Sequence, residues 1–291
     1  MNREIQRFEC HGHMVMDGMD FAKSRDRHVQ QVDRDAVECA LSGLQRAGVC
    51  YYRDGGDAQG VSLLARQLAP DYGMEFVTPG FAIHRKGYYG GLVGRGYADE
   101  TEYRLRLSEL RALRGDFVKL MVSGMITFKV YGQLSCDCLP TEEIAEIIRI
   151  AHAEGYAVML HVNGDEAIRA VVDAGGDSIE HGYFMSDETL RRLADSDTIW
   201  VPTLAAVDAF VDRPGFNDGI AQETVLRQMD VLSRAAARGA KIASGSDSGA
   251  VGVAHGVGTL EEYRLLEKAG VSEEKISWAN ELLRARFRRQ N

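Results

Sequence analysis

The chain of 291 residues carries 34 Lys and Arg against 43 Asp and Glu, a net charge of −9, so it lacks the basic footprint that a general nucleic-acid binder needs. Apolar residues make up 45% and charged residues 26%, the balance of a globular chain able to bury a sizeable core, and no apolar run approaches the ~20 residues of a membrane-spanning helix. Five cysteines (Cys10, Cys39, Cys50, Cys136 and Cys138) form no disulfide framework, and no secretory leader opens the sequence, so the expectation is a cytoplasmic protein with free thiols.

Taken in chain order, short apolar runs alternate with amphipathic stretches, the mark of βα units and a parallel sheet. Buried strands are predicted at 5–10, 49–53, 75–79, 117–122, 157–162, 177–181, 199–204 and 241–245. Helical patterns lie between them at 33–47, 61–69, 99–114, 141–154 and 165–174, and beyond the last strand at 257–269 and 272–289. Several close on Gly, in "RAGV", "AEGY", "DAGG" and "ARGA", where a left-handed residue stops the helix. In the 141–154 helix Thr141 is read as the cap, and Ile144, Ile147, Ile148 and Ala151 make one stripe that should lie on the barrel. Eight strands without a linker or repeat predict one domain over 1–291, a TIM (β/α)8 barrel in the α/β class.

The chemistry gathers at strand ends. In "CHGHM" alternation sends His11 and His13 to one side, where two imidazoles could share a metal. Lys119 lies inside "FVKLMV", where an unpaired ammonium is costly. It either snorkels or pairs with a carboxylate, or it is a depressed-pKa amine able to take up carbon dioxide and bridge two cations as a carbamate. His161 closes "AVMLH" and His181 closes "DSIEH", each at a carboxyl strand end where barrel enzymes build their sites, and Asp247 follows the last strand in "GSDSG". Each His alone is as readily a core histidine, and Asp247 alone an Asx turn or a helix cap.

Other groups carry weaker readings. His28 and His152 read as solvated or structural, and Cys136 and Cys138 as loop thiols. The loop "HRKGYYGGLVGRGY", with His84, Tyr88, Tyr89 and Arg95, suits a movable lid over a substrate or an ordinary solvated loop. Asn163 and His255 complete the set of candidate substrate contacts.

His11, His13, Lys119, His161, His181 and Asp247 in that order, with "YYRDGGD", "DFVKLMVSG", "HVNGDEAIRAVVDAGGDSIEHG" and "HGVGTLEEYRLLEKAGVS", make a pattern that resembles the amidohydrolase superfamily, nearest its imidazolonepropionase-like and prolidase-like branch. The resemblance covers nearly the whole chain. It implies two divalent metal ions, zinc first, with Mn, Fe, Co or Ni also suited to the donor set. His11, His13 and Asp247 would hold the buried ion, His161 and His181 the exposed one, and carboxylated Lys119 would bridge them. Water activated between the ions would attack the carbonyl of a C–N bond in an amide, lactam or peptide-like small molecule, with Asp247 carrying the proton.

Two departures stand out. Cys10 occupies the place usually held by Asp, and the β-sandwich that flanks many relatives has no residues to form it, so the barrel is expected to stand alone or to self-associate as a homo-oligomer. A metal-dependent decarboxylase of the same superfamily and a catalytically silent metal-binding barrel are the alternatives.

Overall fold

The computed structural model describes residues 6–216 and 218–288. The chain runs β1 (Arg7–Gly12), α1 (Phe21–Arg27), α2 (Arg34–Arg46), β2 (Val49–Asp54), α3 (Val61–Leu68), β3 (Glu75–Val77), β4 (Ala82–Arg85), β5 (Gly94–Tyr97), α4 (Glu100–Ala112) and β6 (Val118–Met121). It continues with α5 (Thr141–Ala153), β7 (Val158–Val162), α6 (Asp165–Asp173), β8 (Ser178–His181), α7 (Asp187–Asp195), β9 (Ile199–Val201), α8 (Leu204–Asp208), α9 (Asp218–Ala237), β10 (Lys241–Ile242), α10 (Val257–Lys268) and α11 (Glu273–Phe287). Every predicted strand and helix has its counterpart. Residue 5 of the first predicted strand and residue 289 of the last predicted helix lie outside the described residues.

All strand pairs are parallel, in the orders β1-β2-β3 and β10-β9-β8-β7-β6-β4-β5. Two seams close these sheets into one barrel. At one, Cys10 N–H donates to Ser244 O at 2.9 Å and Gly12 bridges Ser248. At the other, Asp116 N–H donates to Thr78 O at 2.9 Å while the Asp116 carboxylate accepts from Thr78 N–H. β3 and β4 together form the third barrel strand, broken at 78–81, and β5 adds to its outer edge.

Strand alternation sorts the walls. Val118, Leu120 and Val122 of the β6 run face the helices in one cluster with Ile144, Ile147 and Ile148 of α5, and Lys119 points inward. The predicted α5 stripe is therefore the packed one. Its cap is not Thr141: Thr141 is the first helical residue, and Pro140 stands at the cap with no side-chain hydrogen bond, because proline fixes the extended entry of the chain. The Gly stops hold, with Gly48, Gly155, Gly175 and Gly239 all at φ between 75° and 83°.

The barrel floor is closed from below by α11. Ala279, Leu283 and Phe287 of that helix pack with Phe8, Tyr51, Met159 and Val201. Among the described residues no helix is long and apolar enough to cross a membrane.

Candidate active site

Six side chains meet at the carboxyl ends of the strands. His11 is in β1 and His13 follows it, Lys119 is in β6, His161 in β7, His181 ends β8, and Asp247 follows β10. One ligand atom each from His11, His181 and Asp247 lies within 4.8 Å of the other two. Asp247 Oδ1 is 3.7 Å from His11 Nε2 and 3.5 Å from His13 Nε2. The ring of His181 is 4.9 Å from that of His11 and 4.5 Å from that of His161.

Backbone strain places two of these groups. Alternation would point adjacent residues to opposite faces, yet Glu180 and His181 both reach His11. His181 does so with φ at 70°, and two donors, Trp200 Nε1 and Gln228 Nε2, hold its carbonyl at 3.0 Å each. Asp247 has φ of 61° and donates its N–H to His11 O at 2.9 Å. Thr203, which accepts from or donates to His181 Nδ1 at 2.7 Å, has φ of 50°. A left-handed threonine costs of order 1–3 kcal/mol, and such strain collects where geometry serves function.

Hydrogen bonds fix which nitrogen each ring offers. His11 Nδ1 lies 2.7 Å from Glu180 Oε2, so Nε2 carries the free lone pair. Glu180 is itself held by Arg53, whose Nη2 is 2.8 Å away, and by the Ser178 hydroxyl. Arg53 crosses the barrel from β2, also donating to Cys10 O and Ser178 Oγ, with its guanidinium 4.3 Å from the centre of the Phe287 ring.

The electrostatics favour lone pairs over protons. Burial, reinforced by neighbouring cationic groups, keeps all four imidazoles neutral, with His13 and His161 drawn down to about 3. Burial also draws the Lys119 ammonium below its ordinary range and pushes the Asp247 carboxyl up. Lys119 Nζ and Asp247 Oδ1 are buried with no hydrogen-bond partner among the described residues. Orphaned buried groups of this kind carry a penalty, and four neutral imidazoles facing a carboxylate suit a divalent cation.

Above this cluster opens a cavity of about 970 Å³. Of the predicted substrate contacts, Tyr89 and Asn163 line it. Tyr89 sits 5.1 Å from the His161 ring, while the Asn163 amide is tied to Tyr183 N and Gly124 O. His84, Tyr88, Arg95 and His255 lie outside the lining. His84 and Arg95 belong to β4 and β5, so the expected loop is partly strand. Arg95 pairs with Glu109 at 3.0 Å, Tyr88 packs under Arg85, and both ring nitrogens of His255 are taken, by Ser248 Oγ and Met16 O. His28 and His152 are structural, bonded to Asp33 N–H and Asp177 respectively.

With this arrangement in view, comparison with known proteins is decisive at the family level: the model of the amidohydrolase family matches residues 15–280. The chain belongs to that family. An uncharacterised protein of Mycobacterium bovis is 30% identical over 183 residues, 60% of this amidohydrolase and 47% of the relative. The ochratoxinase of Aspergillus niger is 25% identical over 185 residues, 61% of this chain and 35% of that enzyme. The chain thus spans less than half the length of these curated relatives. The crystal structure of a Xaa-Pro dipeptidase with bound methionine shares the fold, with a TM-score of 0.77 at 21% identity over 96% of this chain and 75% of that one. That of A. niger ochratoxinase gives 0.73 at 18% over 94% and 69%.

Sequence reasoning passed over the groups that orient the candidate ligands of this amidohydrolase. Glu180, Arg53 and Thr203 were hidden in strand runs; for Glu180 and Arg53 the available signal was charge where burial is complete, the same that singled out Lys119, and Thr203 offered none.

Proposed function

We propose that this amidohydrolase is a metal-dependent hydrolase that cleaves a C–N bond in a small molecule, an amide, lactam or peptide-like substrate. The observation that carries the reading is the convergence of His11, His181 and Asp247 within 4.8 Å beside the unpartnered Lys119 amine. In this reading His11, His13 and Asp247 would hold one cation and His161 and His181 a second. The neutral Lys119 amine would take up carbon dioxide and release a proton to become a carbamate, a buried negative charge that would suit a pair of cations. Bound divalent ions supply an activated water near neutral pH and polarise a carbonyl.

The chain's own groups do the rest. Glu180 and Thr203 hold the His11 and His181 rings with one nitrogen free. Asp247 takes a proton from water as its oxygen bonds to the carbonyl carbon and delivers it to the nitrogen as the C–N bond breaks. The products are an acid and an amine. Tyr89 and Asn163 border the substrate. We further take the described barrel as one catalytic unit, in a reducing compartment that suits its five free thiols.

Elemental analysis of protein purified without chelators tests this, alongside a hydrolysis screen of N-acyl amino acids and lactams. The expected result is close to two metals per chain, with loss in His11→Ala and Lys119→Ala, and turnover of at least one amide. One metal, unaffected by Lys119→Ala, rejects the carbamate bridge; no metal under any loading overturns the reading.

A further inference from the structure

The cavity above the candidate ligands is lined mainly by apolar side chains away from its floor. Its volume of about 970 Å³ lies at the upper end of small-molecule sites, far more than the reacting amide itself would fill. Three phenylalanines form one wall. Phe128 and Phe210 have ring centres 4.9 Å apart, Phe210 and Phe216 4.6 Å, and Phe128 and Phe216 6.0 Å. They come from two separate segments. Phe128 is carried on the turn after β6, closed by the Ile126–Leu134 bridge, and Phe210 and Phe216 follow α8. Phe21, Tyr89 and Leu92 line the cavity with them.

The rim is apolar where a surface is normally polar. Leu92, Met125 and Phe216 are 42%, 43% and 41% exposed, and all three line this one cavity. Clustered exposed apolar side chains at a cavity mouth mark a binding surface rather than chance.

Polar groups in the upper cavity are already engaged. Thr127 Oγ1 bonds Gln133, the Tyr183 hydroxyl bonds Thr203 O, and the Asn163 amide is bound on both sides. Among the described residues Asp247 is the one carboxylate that lines the cavity, and the exposed Lys129 is the cation that lines it away from the floor. Arg213 already lies over the Phe210 and Phe216 rings, 5.6 and 6.0 Å from their centres, so a positively charged arm would meet two cations, Arg213 and Lys129.

We propose that the substrate carries an aromatic or comparably bulky apolar arm, seated against Phe128, Phe210 and Phe216, and bears no positive charge. This rests on the hydrolase reading above and narrows its substrate class. The three phenylalanines set specificity by binding the arm, and take no part in the bond that breaks.

The test uses zinc-replete protein and three probes: N-benzoylglycine, N-acetylglycine and N-(2-aminoethyl)benzamide. Calorimetric binding is measured beside hydrolysis. N-benzoylglycine is expected to bind about ten-fold more tightly than N-acetylglycine, the scale of one good aromatic contact, and more tightly than the cationic benzamide. Phe210→Ala and Phe128→Ala should erase that preference while the protein keeps its metal content; Phe210→Leu, which keeps the apolar volume, should retain part of it. Equal affinity for the two acylglycines, a preference that survives Phe210→Ala with Phe128→Ala, or no binding of N-benzoylglycine overturns the proposal. A chain that binds N-benzoylglycine through these phenylalanines but holds no metal would reject the hydrolase reading and keep the wall only as a binding site for an apolar arm.

Discussion

His11 Nδ1 and Glu180 Oε2 are 2.7 Å apart, and both side chains are sealed from solvent. The contact leaves His11 one free nitrogen, aimed at Asp247. Glu180→Gln keeps the shape but removes the charge that also compensates buried Arg53. Breaking a buried pair from one side typically costs about 3–5 kcal/mol, and losing a ring-orienting partner about 10–100-fold in metal affinity. Urea denaturation and zinc titration should show both losses together.

Lys119→Met should separate metal binding from stability. The variant removes an amine that has no hydrogen-bond partner among the described residues, so the metal-free protein should unfold at the same urea concentration as wild type or higher. Its metal content should fall, and added bicarbonate should not restore it. A marked loss of stability without metal would mean that the amine has a partner in solution.

Thr203 combines a strained backbone with the hydrogen bond to His181 Nδ1. Thr203→Ser keeps the bond while removing the β-branch that crowds a φ of 50°, and should stabilise by up to about 1 kcal/mol with metal affinity unchanged. Thr203→Val keeps the branch and loses the bond. It should weaken zinc binding about 10-fold or more, measured by competition with a chromophoric chelator.

Asp177 predicts a pH dependence away from the site. Burial alone would raise its carboxyl, but hydrogen bonds from His152 and Val158 N–H, with Arg286 beside it, outweigh burial and lower it. A carboxylate whose folded pKa is depressed contributes fully above its unfolded value near 3.8 and loses that contribution as pH falls through the folded one. Wild type should therefore exceed Asp177→Asn in stability near pH 5, and the two should converge in stronger acid. Melting temperatures across pH 2–8 measure the margin; one that is flat throughout contradicts the shift.

The barrel was legible because its strands are buried on both faces and its helices stop at Gly48, Gly155, Gly175 and Gly239, signals that are local in sequence. The same locality exposed Lys119 and the strand-end histidines. The short β4 and β5 were not legible: "AIHR" and "GRGY" have no clear alternation, and glycine weakens any strand pattern. Thr141 misled because a capping residue and a first-turn residue look alike when Pro140 precedes them. The cavity wall could not be read at all, since Phe128 and Phe210 are far apart in the chain and meet only through the fold.

The seam between β1 and the segment after β10 is where the first and last barrel strands meet, and His11 and Asp247 stand on either side of it. A ring of strands closes only when its ends join, and contacts so distant along the chain form late. An ion shared across that joint would act as a clasp on the ring. Metal loading should then slow amide hydrogen exchange at Cys10, His13 and Asp247 more than in the mid-barrel strands, and an ion bound there would also govern how often the barrel opens.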